Sequence, residues 1–285
     1  MDPQKELQSI FKKIETGKVK EENLDFLLQL LGKQPSMMPE AIKMFTRLAQ
    51  NGDIKVCSSV ISTLNRVAGK DLGIPARSVI VILSCMRSGK QNFNEELMIN
   101  SLDLLHKIYQ GYPDRVIIAV PELLACLENI SPKIRNKAYL TLDSLAATRT
   151  EFFLGRSKEL IRVLNSLNVD ARICGCSLIK NISAKNPAFV MDTFAVVEDL
   201  SLNHPDPRLR REAGFAYEKL KAKEKPARND AAAVEIKPVK DITPVIDVIP
   251  HENSIYEGVD LITPEDTDLK AMLETMGLKH LIKKE

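Results

Sequence analysis

The chain has 285 residues, of which 44% are hydrophobic, so it holds enough apolar material to bury a sizeable core. Its 40 basic and 38 acidic side chains leave a formal net charge of only +2. This balance excludes a global electrostatic preference for nucleic acid or anionic membranes, so any such binding needs a local patch. Glycine is scarce and tryptophan is absent, which favours an all-α fold.

The sequence contains neither an apolar N-terminal leader nor a run long enough to cross a bilayer. Its longest apolar runs, 79–83 and 116–120, are about a quarter of the roughly 20 residues that a transmembrane helix needs. The five cysteines are odd in number and lie in apolar helical stretches, where thiols act as small hydrophobes. We therefore expect no membrane association and a reducing, cytoplasmic location.

The first predicted elements are two helices, at 3–15 and 20–31, that form a hairpin. This hairpin lacks the N-cap and apolar spacing that recur later in the chain. Its Lys12, Lys13 and Glu15 suit a solvated outer face. We interpret it as the N-terminal capping unit of a repeat array.

A second-helix pattern recurs five times after this hairpin. It consists of a polar N-cap followed by small or apolar residues three, seven and eleven positions later. The predicted N-caps are Asp53, Asn94, Ser131, Asp170 and Asp206, separated by 41, 37, 39 and 36 residues. In the fourth copy, for example, Asp170 is followed by Ile173, Ser177 and Asn181.

Another helical stretch precedes each copy of this pattern, so each unit is predicted to be a helical hairpin. These preceding stretches span 39–50, 76–87, 113–129, 150–167 and 187–203. A period near 40 residues with two helices per unit is typical of α-solenoids. We predict an all-α fold in which about six helical hairpins stack into an α-α superhelix.

Two of the second helices resemble those of the HEAT-repeat family, which often begin Asp-x-x-Val-Arg and continue with Ala and Leu at helical spacing. The matching segments are Asp206-Pro-Arg208-Leu209-Arg210-Arg211-Glu212-Ala213 and Lys133-Ile134-Arg135-Asn136-Lys137-Ala138. In other units Cys57 and Cys174 replace the Arg, and Ser131 replaces the Asp. The resemblance covers roughly residues 1–222. It implies an armadillo-like, right-handed superhelix with the second helices on its concave side.

The C-terminal part of the chain has a different composition from the repeats. Four prolines among many Val and Ile residues predict an extended arm, too apolar to be an inert linker. A helix should follow, with Thr263 as N-cap, Pro264 at its first position and Gly277 as its stop. Its apolar stripe consists of Leu269, Met272, Leu273 and Met276. The stripe either docks into a partner's groove or caps the last repeat.

The predicted organisation therefore has three parts. These are a HEAT-like helical repeat domain over 1–225, a Pro/Val/Ile-rich extended arm over 226–262, and a C-terminal amphipathic helix over 263–285.

No motif predicts a catalytic site, a metal centre or a cofactor. Residues 87–91 contain a Gly-Lys pair without the rest of a phosphate-binding loop, and the four histidines lie far apart. Cys174 and Cys176, two positions apart on a helix, point to different faces. We predict no enzymatic activity, no metal and no cofactor. The less favoured enzyme alternative is a HEAT-like DNA glycosylase, which would need aromatic platforms that the basic segments lack.

Basic residues recur near the starts of the second helices and are the candidate binding residues. They are Lys133, Arg135, Lys137, Arg172, Arg208, Arg210 and Arg211. Stacking could align them in one stripe that grips an acidic peptide or a phosphate backbone. The alternative is a solvated face balanced by Asp170, Asp206 and Glu212.

The leading functional hypothesis is a protein-protein interaction scaffold or adaptor. It would bind a protein partner through the concave face of the solenoid, through the C-terminal arm, or through both. Nucleic-acid binding through the basic stripe is the second hypothesis.

Overall fold

The computed structural model describes residues 3–18 and 20–224. The predicted arm over 226–262 and the predicted helix over 263–285, with its apolar stripe, lie outside the described residues.

The described residues form α-helices and short 3₁₀ helices and contain no strand. The α-helices are α1 Pro3–Glu15, α2 Glu21–Lys33, α3 Met38–Gln50, α4 Ile54–Ala68, α5 Gly73–Arg77, α6 Val79–Gln91, α7 Glu95–Gly111, α8 Val120–Cys126, α9 Pro132–Thr148, α10 Ser157–Leu164, α11 Val169–Lys185, α12 Phe194–Asn203 and α13 Pro207–Glu224. The 3₁₀ helices are Pro35–Met37, Pro113–Ala119, Thr150–Phe153, Pro187–Phe189 and Met191–Thr193.

These helices pair into six hairpins. Their second helices are α2, α4, α7, α9, α11 and α13, and the corresponding first helices are α1, α3, α6, α8, α10 and α12. From α4 onward the second helices pack side by side in chain order. From α3 onward the first helices contact one another in the same order, with the 3₁₀ helix Pro113–Ala119 between α6 and α8. All substantial contacts between elements of the described chain lie within one hairpin or between neighbours. This pattern confirms the predicted α-solenoid, because a compact bundle would bring distant hairpins together.

Four of the five repeated second helices begin where their predicted N-caps place them. Asp53 Oδ1 accepts hydrogen bonds from the backbone N–H groups of Lys55 and Val56, and Asn94 Oδ1 accepts one from Leu97. These bonds satisfy donors that a helix start leaves without an intrahelical partner.

The spacing of apolar residues within a second helix explains why the hairpins stack. In α9, Ile134, Ala138 and Leu142 are all buried. They lie on one face because residues three and four apart share a side of the helix. A single hairpin cannot cover this face, so each hairpin completes the core of the next.

The predicted start of the fourth second helix is wrong by two residues. Its N-cap is Asn168, whose Oδ1 accepts hydrogen bonds from Asp170 N at 2.9 Å and Ala171 N at 3.2 Å. Both Asn and Asp are good N-caps, so the local sequence does not distinguish Asn168 from Asp170. The N-caps then stand at 53, 94, 131, 168 and 206, and the last four are 37 or 38 residues apart.

Packing decides between the two candidate N-caps. Counting from Asn168, the residues three, seven and eleven later are Ala171, Gly175 and Ile179, and all three are buried. A Cβ at Gly175 would lie only 3.1 Å from Val163 Cγ1, so α11 approaches α10 closely where it has no side chain. The correction also places Arg172, and not Cys174, at the arginine position of this unit.

None of the helices within 3–18 and 20–224 combines the length and the apolar character that crossing a bilayer requires. The cytoplasmic location stays a prediction.

Candidate binding surface

Three of the seven candidate basic residues hold the turns between first and second helices. Arg135 is buried, with 7% of its side chain exposed, and its Nη1 donates to the carbonyl oxygens of Asn129 and Ile130, each at 2.9 Å. Its Nη2 donates to Asp170 Oδ2 of the next hairpin at 3.2 Å. A guanidinium can serve these acceptors together because its donors form a fixed planar fork.

Arg172 and Arg210 occupy the same position, four residues after the N-cap, and make the same kind of contact. Arg172 Nε donates to the carbonyl oxygen of Ser166. Arg210 Nη1 donates to the carbonyl oxygens of His204 at 2.7 Å and Pro205 at 3.1 Å. We call Arg135, Arg172 and Arg210 the arginine latches, since each ties its turn to the start of the second helix.

Two further candidates form ion pairs. Lys137 Nζ lies 2.6 Å from Asp103 Oδ1 on the neighbouring second helix. Arg208 lies 3.0 Å from Asp206 and 3.9 Å from Asp170. The hydrogen bond from Arg208, together with backbone N–H donors, lowers the pKa of the Asp206 carboxyl from 3.8 to about 2.

Lys133 and Arg211 are the only two of the seven without an ion pair or a side-chain hydrogen bond to described residues. Both are exposed. The structure therefore divides the predicted stripe into five residues with partners inside the protein and two that face solvent. The seven residues therefore differ in their contacts. Three bind turn carbonyl groups, two form ion pairs and two face solvent. Their binding role stays a prediction.

A polar network that the sequence did not predict connects two second helices. The hydroxyl of Tyr139 on α9 lies 3.1 Å from Asp143 Oδ1 and 2.9 Å from Ser177 Oγ on α11. Asn181 Nδ2 donates to the same Asp143 oxygen at 2.7 Å. Burial is the largest cause that raises the pKa of Tyr139 to about 12, so the phenol stays neutral at physiological pH. The signal was obscured because the misplaced N-cap assigned Ser177 and Asn181 to the core.

Two apolar side chains are half exposed on the same row of helices. Leu140 and Phe215 each lie nine residues after the N-cap of their helix, α9 and α13, so they share a register position two hairpins apart. Ser177 holds this position on α11 between them.

The cysteines of the described chain are free thiols, and all except the half-buried Cys174 are fully buried. Burial raises the pKa of Cys126 and of Cys176 to about 12. The thiols of Cys126 and Cys176 are therefore protonated and pack as small hydrophobes. The described residues contain no group of three or more His, Cys, Asp or Glu side chains arranged to hold a metal ion. The absence of enzymatic activity stays a prediction.

No family model matches the chain, and no curated protein matches it. Solved structures do. The HEAT-like repeats protein from the archaeon Thermococcus onnurineus NA1 is 11% identical with a TM-score of 0.43, covering 76% of this chain and 97% of its own. A computationally designed armadillo repeat protein for modular peptide recognition is 16% identical with a TM-score of 0.40, covering 76% and 94%. A designed armadillo repeat protein in complex with the peptide (KR)4 is 15% identical with a TM-score of 0.40, again covering 76% and 94%.

The fold is an armadillo- or HEAT-like α-solenoid. This follows from the succession of hairpins and from their neighbour-only contacts in the described part of the chain.

Proposed function

We propose that the protein is an interaction scaffold whose second helices bind an extended segment of a protein partner. We call the solvent-facing side of α4, α7, α9, α11 and α13 the second-helix face. The observation that supports the proposal is that these five helices pack side by side in chain order, so equivalent positions recur once per hairpin. A surface of this kind suits a ligand that also repeats along its length.

An extended polypeptide has such a repeat. Packed helices lie about 8–10 Å apart, and an extended chain advances about 3.3 Å per residue. Each hairpin therefore matches about three residues of an extended peptide, and alike side chains of the peptide meet equivalent positions of successive hairpins.

The chemistry of the face favours a peptide with two apolar anchors. Leu140 and Phe215, two hairpins apart, offer half-exposed apolar contacts that match peptide residues about six positions apart. Between them, Asp143 and Ser177 offer hydrogen-bonding groups to the peptide backbone. Burying anchors of this kind supplies much of the free energy of binding in protein interfaces.

A peptide-display selection against the full chain tests the proposal. Selected peptides should lose about tenfold or more in affinity on a double variant with Leu140→Glu and Phe215→Glu. The matched control is Leu154→Glu, because Leu154 is also an exposed leucine but lies outside the second helices, after the 3₁₀ helix Thr150–Phe153. Equal affinity for the wild type and the double variant would reject the second-helix face as the binding surface.

The second part of the proposal is that the C-terminal arm and the helix predicted after it contribute to partner binding. Removing residues 226–285 should leave a folded helical array, measured by circular dichroism, and should change partner capture in a pull-down. Unchanged capture would limit binding to the repeat domain.

Nucleic-acid binding stays a prediction from the sequence, and the structure improves its test. Charge reversal at Arg135, Arg172 or Arg210 would disturb turns as well as charge. Lys133→Glu with Arg211→Glu changes charge alone, since both side chains face solvent. A salt-dependent affinity that this pair abolishes would support nucleic-acid binding.

A further inference from the structure

Three solvent-exposed apolar side chains lie in a row along one edge of the solenoid. Phe93, Ile130 and Leu167 each directly precede the N-cap of a second helix, and they are spaced 37 residues apart. They expose 88%, 86% and 98% of their surface, more than the other large apolar residues of the described chain. We call these three residues the turn row.

Bonds between the neighbouring helix starts place the three turns next to one another. Ser131 Oγ, one residue after Ile130, donates to Glu95, two residues after Phe93. Asp170, three residues after Leu167, accepts from Arg135 on the previous second helix. The turn row therefore runs along consecutive hairpins, with its members about one interhelix distance of 8–10 Å apart.

Phe93 has a backbone conformation that a phenylalanine rarely adopts. Its φ is +53°, whereas Gly52, at the equivalent position of the preceding hairpin, has a φ of +68°. A bulky side chain in this left-handed region is an outlier that destabilises the fold, and glycine is the residue the geometry favours. Since Phe93 is almost fully exposed, packing within the described chain does not compensate for this strain. The left-handed backbone closes α6 through the hydrogen bond from Asn94 N to Gly89 O, but this bond does not account for a phenylalanine at a position that favours glycine.

We propose that the turn row binds an amphipathic α-helix of a partner protein. A helix rises about 1.5 Å per residue, so residues seven apart are separated by about 10.5 Å. This distance is slightly longer than the roughly 8–10 Å between neighbouring hairpins. A helix laid along the edge with an apolar residue at every seventh position presents one apolar side chain to each of Phe93, Ile130 and Leu167.

The charges beside the turn row define the partner further. Lys133 lies three residues after Ile130, and Arg211 lies one hairpin beyond Leu167, and both face solvent without an ionic partner in the described chain. Glu96, exposed, lies three residues after Phe93. Asp170, at the same position after Leu167, is exposed but already lies 3.2 Å from Arg135 and 3.9 Å from Arg208. The complementary helix therefore carries acidic residues where it faces Lys133 and Arg211, and none where it faces Glu96.

The size of the turn row favours a single helix over a second copy of the chain. The turn row consists of three large apolar side chains, whereas a stable interface takes about 20–30 residues from each partner. A stable interface between two globular partners needs about 800 Å² from each. The turn row alone is therefore too small for a dimer, but it suffices for one face of a helix.

The turn row and the second-helix face are separate surfaces, so this inference does not depend on the proposed function. It is tested with a display library of helical peptides that carry leucine at every seventh position and random residues elsewhere. The library is selected against the full chain. Enriched peptides should bind about 30-fold more weakly to a triple variant with Phe93→Gly, Ile130→Asp and Leu167→Asp, measured by fluorescence anisotropy.

Two controls separate this effect from damage to the fold. Leu154→Asp, at an exposed leucine outside the row, should leave affinity unchanged. Phe93→Gly alone should weaken binding and yet raise the melting temperature, because it relieves the positive φ. A residue with only a structural role would not combine these two outcomes. Reversing the order of charges in an enriched peptide should also weaken binding.

Several outcomes would overturn the proposal. Enriched peptides that bind the triple variant as well as the wild type would show that the turn row is not the site. A concentration-dependent dimer that the triple variant abolishes would identify a second copy as the occupant. Displacement of the enriched peptides by a synthetic peptide of residues 263–285 would identify the chain's own segment instead of a partner.

Discussion

The turns of the first three hairpins are closed in one way and those of the last three in another. Each of the first three contains a left-handed residue: Gly17 and Gly52 with φ of +68°, and Phe93 with φ of +53°. The last three turns contain no positive φ, and each is bridged by an arginine latch from the start of the second helix.

Two of the three left-handed turns end their first helix with a backbone hydrogen bond. Lys18 N donates to Lys13 O and Asn94 N donates to Gly89 O, both at 2.8 Å, and these bonds close the ends of α1 and α6. This is the hydrogen bond that a left-handed residue after a helix makes possible. The position of the latch is then filled by the buried apolar residues Cys57 in α4 and Met98 in α7.

The latched turns leave carbonyl groups that face the second helix, and the guanidinium supplies the donors. A buried carbonyl without a donor is destabilising, so the latch replaces what the backbone does in the other turns. The same hairpin can therefore be closed in two ways. The first uses a left-handed residue in the turn, and the second uses an arginine from the start of the second helix. In the second case the arginine also connects hairpins where it reaches Asp170.

The largest effect expected from this comparison concerns Arg135. Replacing it by methionine keeps the apolar stem but removes the donors to Asn129 O, Ile130 O and Asp170. We expect a loss of about 2–3 kcal/mol in the free energy of unfolding, measured by chemical denaturation. Lys133→Met on the same helix should have little effect. Unchanged stability in the Arg135 variant would show that the latch does not stabilise its turn.

A smaller effect, of opposite sign, is expected at Phe93. Phe93→Gly places the residue of the equivalent Gly52 turn in the third hairpin and should stabilise the fold by about 0.5–1 kcal/mol. Thermal unfolding measures this gain. Phe93→Ala is the control, because it removes the ring and keeps a Cβ in the left-handed region. Equal gains in both variants would assign the strain to the ring and not to the backbone.

Arg210 should matter less than Arg135 because its latch is exposed and lacks the bond to a neighbouring hairpin. Arg210→Ala should destabilise by less than about 1 kcal/mol. Chemical denaturation of the two variants under identical conditions measures this difference in the free energy of unfolding. A loss as large as that of Arg135→Met would mean that the turn carbonyls, and not burial or Asp170, dominate the latch.

The smallest effect is a pH dependence at the last latched turn. Since Arg208 lowers the pKa of Asp206 to about 2, the stabilisation is present above the ordinary pKa near 3.8 and is lost as pH falls through about 2. Arg208→Gln should raise the pKa of Asp206 toward its ordinary value. Carboxyl ¹³C chemical shifts followed from pH 5 to about pH 1.5 report it. An unchanged titration midpoint would show that the backbone donors alone set this pKa.

The sequence predicted the architecture because N-cap and apolar spacing are local signals. Ser131 is followed by Ile134, Ala138 and Leu142 at helical spacing, and this pattern can be recognised within a single helix. The N-cap at Asn168 could not be chosen locally, since it depends on the close approach of α10 to Gly175.

The candidate site was less predictable than the fold. A charged residue near a helix start has the same sequence signature whether it faces solvent, as Lys133 does, or folds back onto carbonyl groups, as Arg135 does. The turn row escaped notice because Leu167 directly precedes an N-cap only when that N-cap is Asn168. Single exposed apolar residues are also common, and only their alignment gives them meaning.

The two ends of the turn row limit how a bound helix can align along it. The equivalent positions beyond it are Gly52 on one side and Pro205 on the other, and neither offers a large side chain. A bound helix that slid by one hairpin would keep two contacts and set its third leucine against a bare turn. An otherwise repetitive surface would in this way fix a single register and select a length of about two heptads through its apolar contacts, in addition to the selection that the neighbouring charges make.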